Sequence, residues 1–192
     1  MIPVSKDVAS GLPPVTLILG GARSGKSLYA ERLVEGAACA GAYCATAEAG
    51  DREMAQRIAA HRARRGRFWR TVEEPLAVAS VIADEATAER PLLVDCLTLW
   101  LSNLLLAGRL VDEDAAKLCS ALRVARGPVV LVANEVGLGL VPETPLGRQF
   151  RDAAGRLNQE IAAIADRVVF MAAGLPLVLK EAEPIARPAS VK

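Results

Sequence analysis

Five short runs in this chain are apolar on both faces: VTLIL (15–19), AYCAT (42–46), PLLVD (91–95), PVVLVA (128–133) and RVVFMA (167–172). A strand with one wet face would alternate apolar and polar residues, so unbroken runs point to parallel strands covered by helices on each side. Helical patterns fill the gaps, at 27–38, 51–65, 75–88, 97–107, 112–126 and 145–166. In the last, Phe150, Ala154, Leu157, Ile161 and Ile164 recur at spacings of four and three and make one apolar stripe. The expected fold is α/β, with a mostly parallel central sheet and helices on both faces.

Residues 1–14 mix polar residues with Gly11, Pro13 and Pro14 and read as a flexible leader. A single domain is expected over 15–180, with a polar, Pro-containing tail over 181–192. The leader has neither a basic start nor an apolar stretch and so does not read as a signal peptide. Leu92 to Ala107 is the one segment that imitates a membrane span. Asp95, Ser102 and Asn103 interrupt it and it is short for a span, so a buried strand followed by a buried helix is the better reading.

Composition removes whole classes of function. Lys plus Arg number 23 against 22 Asp plus Glu, a net charge of +1, which lacks the basic excess of a nucleic-acid binder. One histidine, His61, excludes a two-His metal site or an H-E-x-x-H zincin. The cysteines (Cys39, Cys44, Cys96 and Cys119) lack C-x-x-C spacing and have small or aliphatic neighbours, so all four read as buried thiols in a reducing, cytoplasmic setting.

The segment GGARSGKS, Gly20 to Ser27, fits G-x-x-x-x-G-K-[ST] and lies between an apolar run and a helical pattern, the setting a P-loop requires. Gly20 and Gly25 allow torsions and close approach that a Cβ would block, so the amides of Gly21, Ala22, Arg23 and Ser24 and the helix start converge on phosphates. Lys26 would reach the β- and γ-phosphates, and the Ser27 hydroxyl would join the coordination of Mg²⁺. The LLVD run supplies Asp95 as a Walker B carboxylate on the metal side, although capping the 97–107 helix is an equally ordinary role. No N-K-x-D segment appears, which disfavours a Ras-like guanine switch.

His61 stands among Arg57, Arg62, Arg64, Arg65 and Arg67, with Arg57 and Arg65 one helical turn to either side. Two readings stay open on pattern alone. One is a half-buried histidine on an amphipathic helix whose basic side is solvated. The other is a triphosphate clamp in which the guanidinium groups disfavour imidazolium and keep His61 neutral and nucleophilic.

Taken together, GGARSGKS, the ATAE segment (45–48), EMAQRIAAHRARRGRFWRT, LLVDCLTLWLSNLL and VANEVGLGLVPETPLGRQFRDAAGRLNQEIA resemble the bifunctional adenosylcobinamide kinase/adenosylcobinamide-phosphate guanylyltransferase family of cobalamin biosynthesis, over about Thr16 to Lys180. The resemblance implies a P-loop NTPase-like fold, ATP and GTP as substrates, Mg²⁺, and a homo-oligomer such as a trimer. It makes His61 the residue that accepts GMP. It also implies nucleotide contacts from Gly20 to Ser27, from Thr46, Ala47 and Glu48, from Arg62, Ala63, Arg64 and Arg65, and from Glu73 and Asp95. Adenosylcobinamide and its phosphate would be the acceptors. A kinase acting alone and a non-enzymatic nucleotide-binding module are the alternatives. For the block from Asn134 to Arg156, substrate contact, subunit contact and helix solvation all stay open.

Overall fold

The computed structural model describes residues 11–48 and 66–181. Its strands are β1 (Val15–Gly20), β2 (Gly41–Ala45), β3 (Trp69–Glu73), β4 (Leu92–Asp95), β5 (Val129–Asn134), β6 (Arg167–Ala172) and β7 (Leu175–Glu181). The helices within the described residues are α1 (Lys26–Glu35), α2 (Val78–Glu85), α3 (Leu97–Leu106), α4 (Val111–Arg123) and α5 (Pro145–Ile164). The strands form one seven-stranded sheet in the order β3-β2-β4-β5-β1-β6-β7. All neighbours are parallel except β6 and β7, which form an antiparallel hairpin.

The two-sided apolar runs do what their pattern dictates. Every residue of β1 is buried, and β5 is buried up to its last residue. Alternate residues feed two cores: Leu17, Leu19, Leu92 and Val94 pack with α2 to α5 on one face, while Ile18, Leu93, Val130 and Val132 pack with Ala30, Leu33 and Val34 of α1 on the other. The α5 stripe faces the larger core, with Leu157 and Ile161 buried and Phe150 and Ile164 partly so. Thr144 caps its start by accepting a hydrogen bond from the Gly147 amide (3.1 Å), and Pro145 stands in the first turn.

Several expectations need correcting. Two strands were not legible as apolar runs. β3 is an edge strand in which Trp69 alone is buried, and β7 is an outer strand exposed along its whole length. Both need only one neighbour, so neither must be apolar on both sides. The first strand begins at Val15, and just before it Leu12 packs against the α1-side core and the Pro14 carbonyl accepts a hydrogen bond from the Val129 amide (2.9 Å). Glu181 belongs to β7 and approaches Arg167. Among the cysteines, Cys44, Cys96 and Cys119 are buried and Cys39 is exposed; all four are free thiols. The helix expected over 51–65 lies outside the described residues. Among the described residues, no helix is long and apolar enough to cross a membrane.

Candidate nucleotide site

Parallel strands end together, and their carboxyl ends make a crevice where loops can meet a ligand. In register, Gly20 stands beside Asn134 and Met171, while Ala45 stands beside both Asp95 and Glu73. The sheet therefore brings the P-loop, Asp95 and the end of β5 to one edge.

The loop from Gly20 to Gly25 is shaped by glycine chemistry at two points. Gly20 has φ +149°, and a Cβ there would lie 2.4 Å from the Met171 carbonyl oxygen. Gly25, at φ +94°, is the residue that opens α1. Arg23 also takes a left-handed conformation, φ 56°. The Ser24 carbonyl accepts from the Gly174 amide in the β6–β7 turn (3.0 Å), which fixes the far side of the loop. No side chain caps the start of α1 and no acid stands in its first turn, so its amide donors and positive dipole end face the crevice. The Ser24 hydroxyl is buried without a protein partner, the kind of group a phosphate oxygen satisfies.

A cleft of about 480 Å³ opens at this point, lined by Ala22, Arg23, Lys26, Ser27, Asp95 and Asn134, with Cys96 and Val132 behind them. Lys26 is only 7% exposed and its Nζ donates to the Gly21 carbonyl at 2.6 Å. Burial pushes its pKa below the usual lysine value, opposed by the neighbouring Cys96 and Asp95. Cys96 itself is a protonated thiol, raised to about 11 mainly by burial. Behind the cleft, buried Tyr43 donates its hydroxyl proton to Asp95 Oδ2 at 2.6 Å. Asn134, whose role was left open by the sequence, is held from both sides. Its amide donates to Thr98 Oγ1 (2.6 Å), its carbonyl accepts from Asn158 Nδ2 (3.3 Å), and the next amide, of Glu135, donates to the Gly20 carbonyl (3.1 Å).

The other expected residues fall into three groups. Thr46 is 0% exposed, and its hydroxyl donates to the Cys96 carbonyl (2.8 Å) and accepts from the Cys96 amide (2.9 Å). Its side chain thus joins the ends of β2 and β4 instead of facing the cleft, while its carbonyl accepts from Asn103 Nδ2 (2.8 Å). Ala47 is half-buried, and Glu48 and Glu73 are exposed at the ends of β2 and β3. His61, Arg62, Ala63, Arg64 and Arg65 lie outside the described residues. In the block from Asn134, Arg148 donates to the Pro142 and Glu143 carbonyls and so braces the start of α5, while Arg151 pairs with its neighbour Asp152 on the helix. Tyr43 was not singled out by the sequence, because its link to Asp95 depends on strand register.

Comparison with known proteins agrees with this geometry. A sequence model described as cobinamide kinase / cobinamide phosphate guanyltransferase matches residues 16–179. A bifunctional adenosylcobalamin biosynthesis protein, CobP, of Pseudomonas aeruginosa is 54% identical over 171 residues, covering 88% of this chain and 98% of that protein. The bifunctional adenosylcobalamin biosynthesis protein CobU of Salmonella typhimurium is 39% identical over 179 residues, covering 85% and 98%. Among solved structures, a type III secretion ATPase aligns with TM-score 0.52 and 13% identity, covering 85% of this chain and 56% of that one. The flagellar accessory protein FlaH of Methanocaldococcus jannaschii aligns with TM-score 0.50 and 13% identity, covering 94% and 87%. At such identities these two likenesses show the fold, a P-loop NTPase sheet. With the phosphate loop, the facing carboxylate and a match along nearly all of the described chain, this protein belongs to the cobinamide kinase / cobinamide phosphate guanyltransferase family.

Proposed function

We propose that this chain carries out both of the family's reactions, phosphorylating adenosylcobinamide with ATP or GTP and then transferring GMP from GTP to adenosylcobinamide phosphate. The observation that carries the reading is the cleft, which unites the start of α1, the Lys26 ammonium, the Ser27 hydroxyl and the Asp95 carboxylate. In the first reaction the substrate hydroxyl attacks the γ-phosphorus, the bond to the β–γ bridging oxygen breaks, and the nucleoside diphosphate leaves. Loop amides and Lys26 stabilise the charge that moves onto the phosphate oxygens, and the hydroxyl proton passes to a carboxylate or water.

Among the described residues, no group of three or more His, Cys, Asp or Glu could hold a metal. A hydroxyl and a single carboxylate instead suit Mg²⁺, a hard cation that keeps water and phosphate oxygens as its other ligands. Ser27 and Asp95 would hold it, and when bound it neutralises triphosphate charge.

In the second reaction neutral His61 attacks the α-phosphorus of GTP, a phosphorus–nitrogen bond forms and pyrophosphate leaves. The phosphate oxygen of adenosylcobinamide phosphate then displaces the histidine, giving adenosylcobinamide-GDP. The arginines Arg62, Arg64 and Arg65 would bind the pyrophosphate. The reading includes a cytoplasmic homo-oligomer, such as a trimer, supported by the exposed leucines of β7 and checked by light scattering. Incubation with α-labelled GTP tests the central step. Acid-labile covalent label is expected on the wild type and none on His61→Ala, which should still phosphorylate adenosylcobinamide. Label that persists in His61→Ala refutes the nucleophile.

A further inference from the structure

Tyr43 is 1% exposed, yet its hydroxyl is bonded to Asp95, the one carboxylate among the described residues that lines the nucleotide cleft. The register explains the contact. Ala45 stands opposite Asp95 in the parallel pair β2–β4, so Tyr43, two residues earlier, shares its face of the sheet and reaches Asp95 diagonally. That face is the one covered by α1.

The ring of Tyr43 is itself seated. Trp69 meets it edge to face, with centroids 5.6 Å apart and planes at 86°, and Phe68 packs on Trp69 in turn at 4.9 Å. Trp69 occupies the space that a Cβ on Gly41 would need, 2.7 Å from its ring. Its indole N–H donates to Glu35 Oε1 at 2.9 Å, and Glu35 is the last residue of α1. The first two residues of α1 are Lys26 and Ser27. A chain of contacts therefore runs from Ser27 along α1 to Glu35 and across Trp69 and Tyr43 to Asp95, which lines the same cleft as Ser27.

We propose that Tyr43 is a positioning residue for the nucleotide site, holding Asp95 through the Glu35–Trp69–Tyr43 relay at a set place relative to Ser27. The hydrogen bond occupies Oδ2 and fixes the carboxylate plane, so Asp95 does not rotate to meet a cation. The relay rests on the reading of Ser27 and Asp95 as the residues on the metal side of a triphosphate.

The test is Mg²⁺-dependent binding of a fluorescent, non-hydrolysable GTP analogue. Tyr43→Phe keeps the ring and removes the hydroxyl. It should raise the Mg²⁺ concentration for half-maximal binding about tenfold, the scale of one hydrogen bond to a charged group, and leave binding in EDTA unchanged. Asp95→Asn should weaken Mg²⁺-dependent binding too, and adding Tyr43→Phe to it should change nothing more, because the hydroxyl acts through that carboxylate. Trp69→Phe, which keeps an aromatic ring and loses the bond to Glu35, should give a smaller shift of the same kind and stands in should Tyr43→Phe fail to fold. Unchanged Mg²⁺ dependence in Tyr43→Phe, equal weakening with and without Mg²⁺, or additive effects of Tyr43→Phe and Asp95→Asn would each overturn the relay alone. A wild type indifferent to Mg²⁺ would overturn both the relay and the reading beneath it.

Discussion

The crevice edge of the sheet and its outer border treat polar and apolar groups in opposite ways. At the crevice, Thr46, Asn134, Ser24 and Tyr43 are held by hydrogen bonds that tie one strand end or loop to the next. At the border, Leu177 and Leu179 of β7 are 59% and 58% exposed. A phosphate site needs donors that do not move, and a buried donor left without a partner costs about 1–3 kcal/mol, so rigidity there comes from the paired groups, with the Ser24 hydroxyl left for a ligand to satisfy. Large exposed aliphatics cost little by themselves, and a contiguous patch of them is the kind of surface that meets another molecule.

The strongest way to break the contrast is Lys26→Ala, which removes the buried ammonium that lines the cleft. Phosphoryl transfer should fall about 10²- to 10³-fold in kcat, measured as labelled adenosylcobinamide phosphate, while the melting temperature changes little. Gly20→Val drives a side chain into the Met171 carbonyl at a φ that valine rejects. It should cost about 2–3 kcal/mol in denaturant titration and abolish nucleotide binding.

Thr46→Val keeps the shape but strands the Cys96 amide, while the Cys96 carbonyl keeps its bond from the Trp100 amide (3.1 Å), so a loss of about 2 kcal/mol is expected on chemical unfolding. Alkaline pH probes the dryness of the same region. Burial raises Cys44 to about 12 and Cys96 to about 11, against 9.0 for an unperturbed thiol. The unfolded chain therefore loses these protons first, and the stability present below pH 9 is lost as pH climbs toward 11. At pH 10 each thiol should have cost about 1 kcal/mol, and Cys39 alone should react quickly with a thiol reagent before unfolding. The mildest effect belongs to the border. Leu177→Ser should change the stability of the single chain by less than about 0.5 kcal/mol and, if the proposed homo-oligomer meets through β7, shift the mass found by light scattering; an unchanged mass would remove β7 from that proposed contact.

What could be read in advance follows the same division. GGARSGKS carries its meaning locally, because strand, loop and helix are contiguous, and the core strands show themselves by being apolar on both sides. Asp95 was legible as the end of one such strand. Tyr43 and Thr46 were not legible in these roles, since each acts on residues about fifty positions away and only register brings them together. β3 and β7 escaped because edge strands carry no two-sided pattern, and Cys39 because a small-residue neighbourhood occurs in turns as well as in cores. His61 was singled out from charge pattern and resemblance, and both are statements about sequence; its surroundings lie outside the described residues.

The bond from Lys26 Nζ to the Gly21 carbonyl has a thermodynamic consequence. A lysine drawn in from solvent to meet a phosphate would surrender about 1.5–2 kcal/mol of rotamer entropy at the moment of binding. Here the side chain is ordered when the chain folds, already inside the loop that cradles the ligand. An arriving phosphate exchanges one acceptor for another, and most of the entropy of ordering is lost once in folding, outside the catalytic cycle.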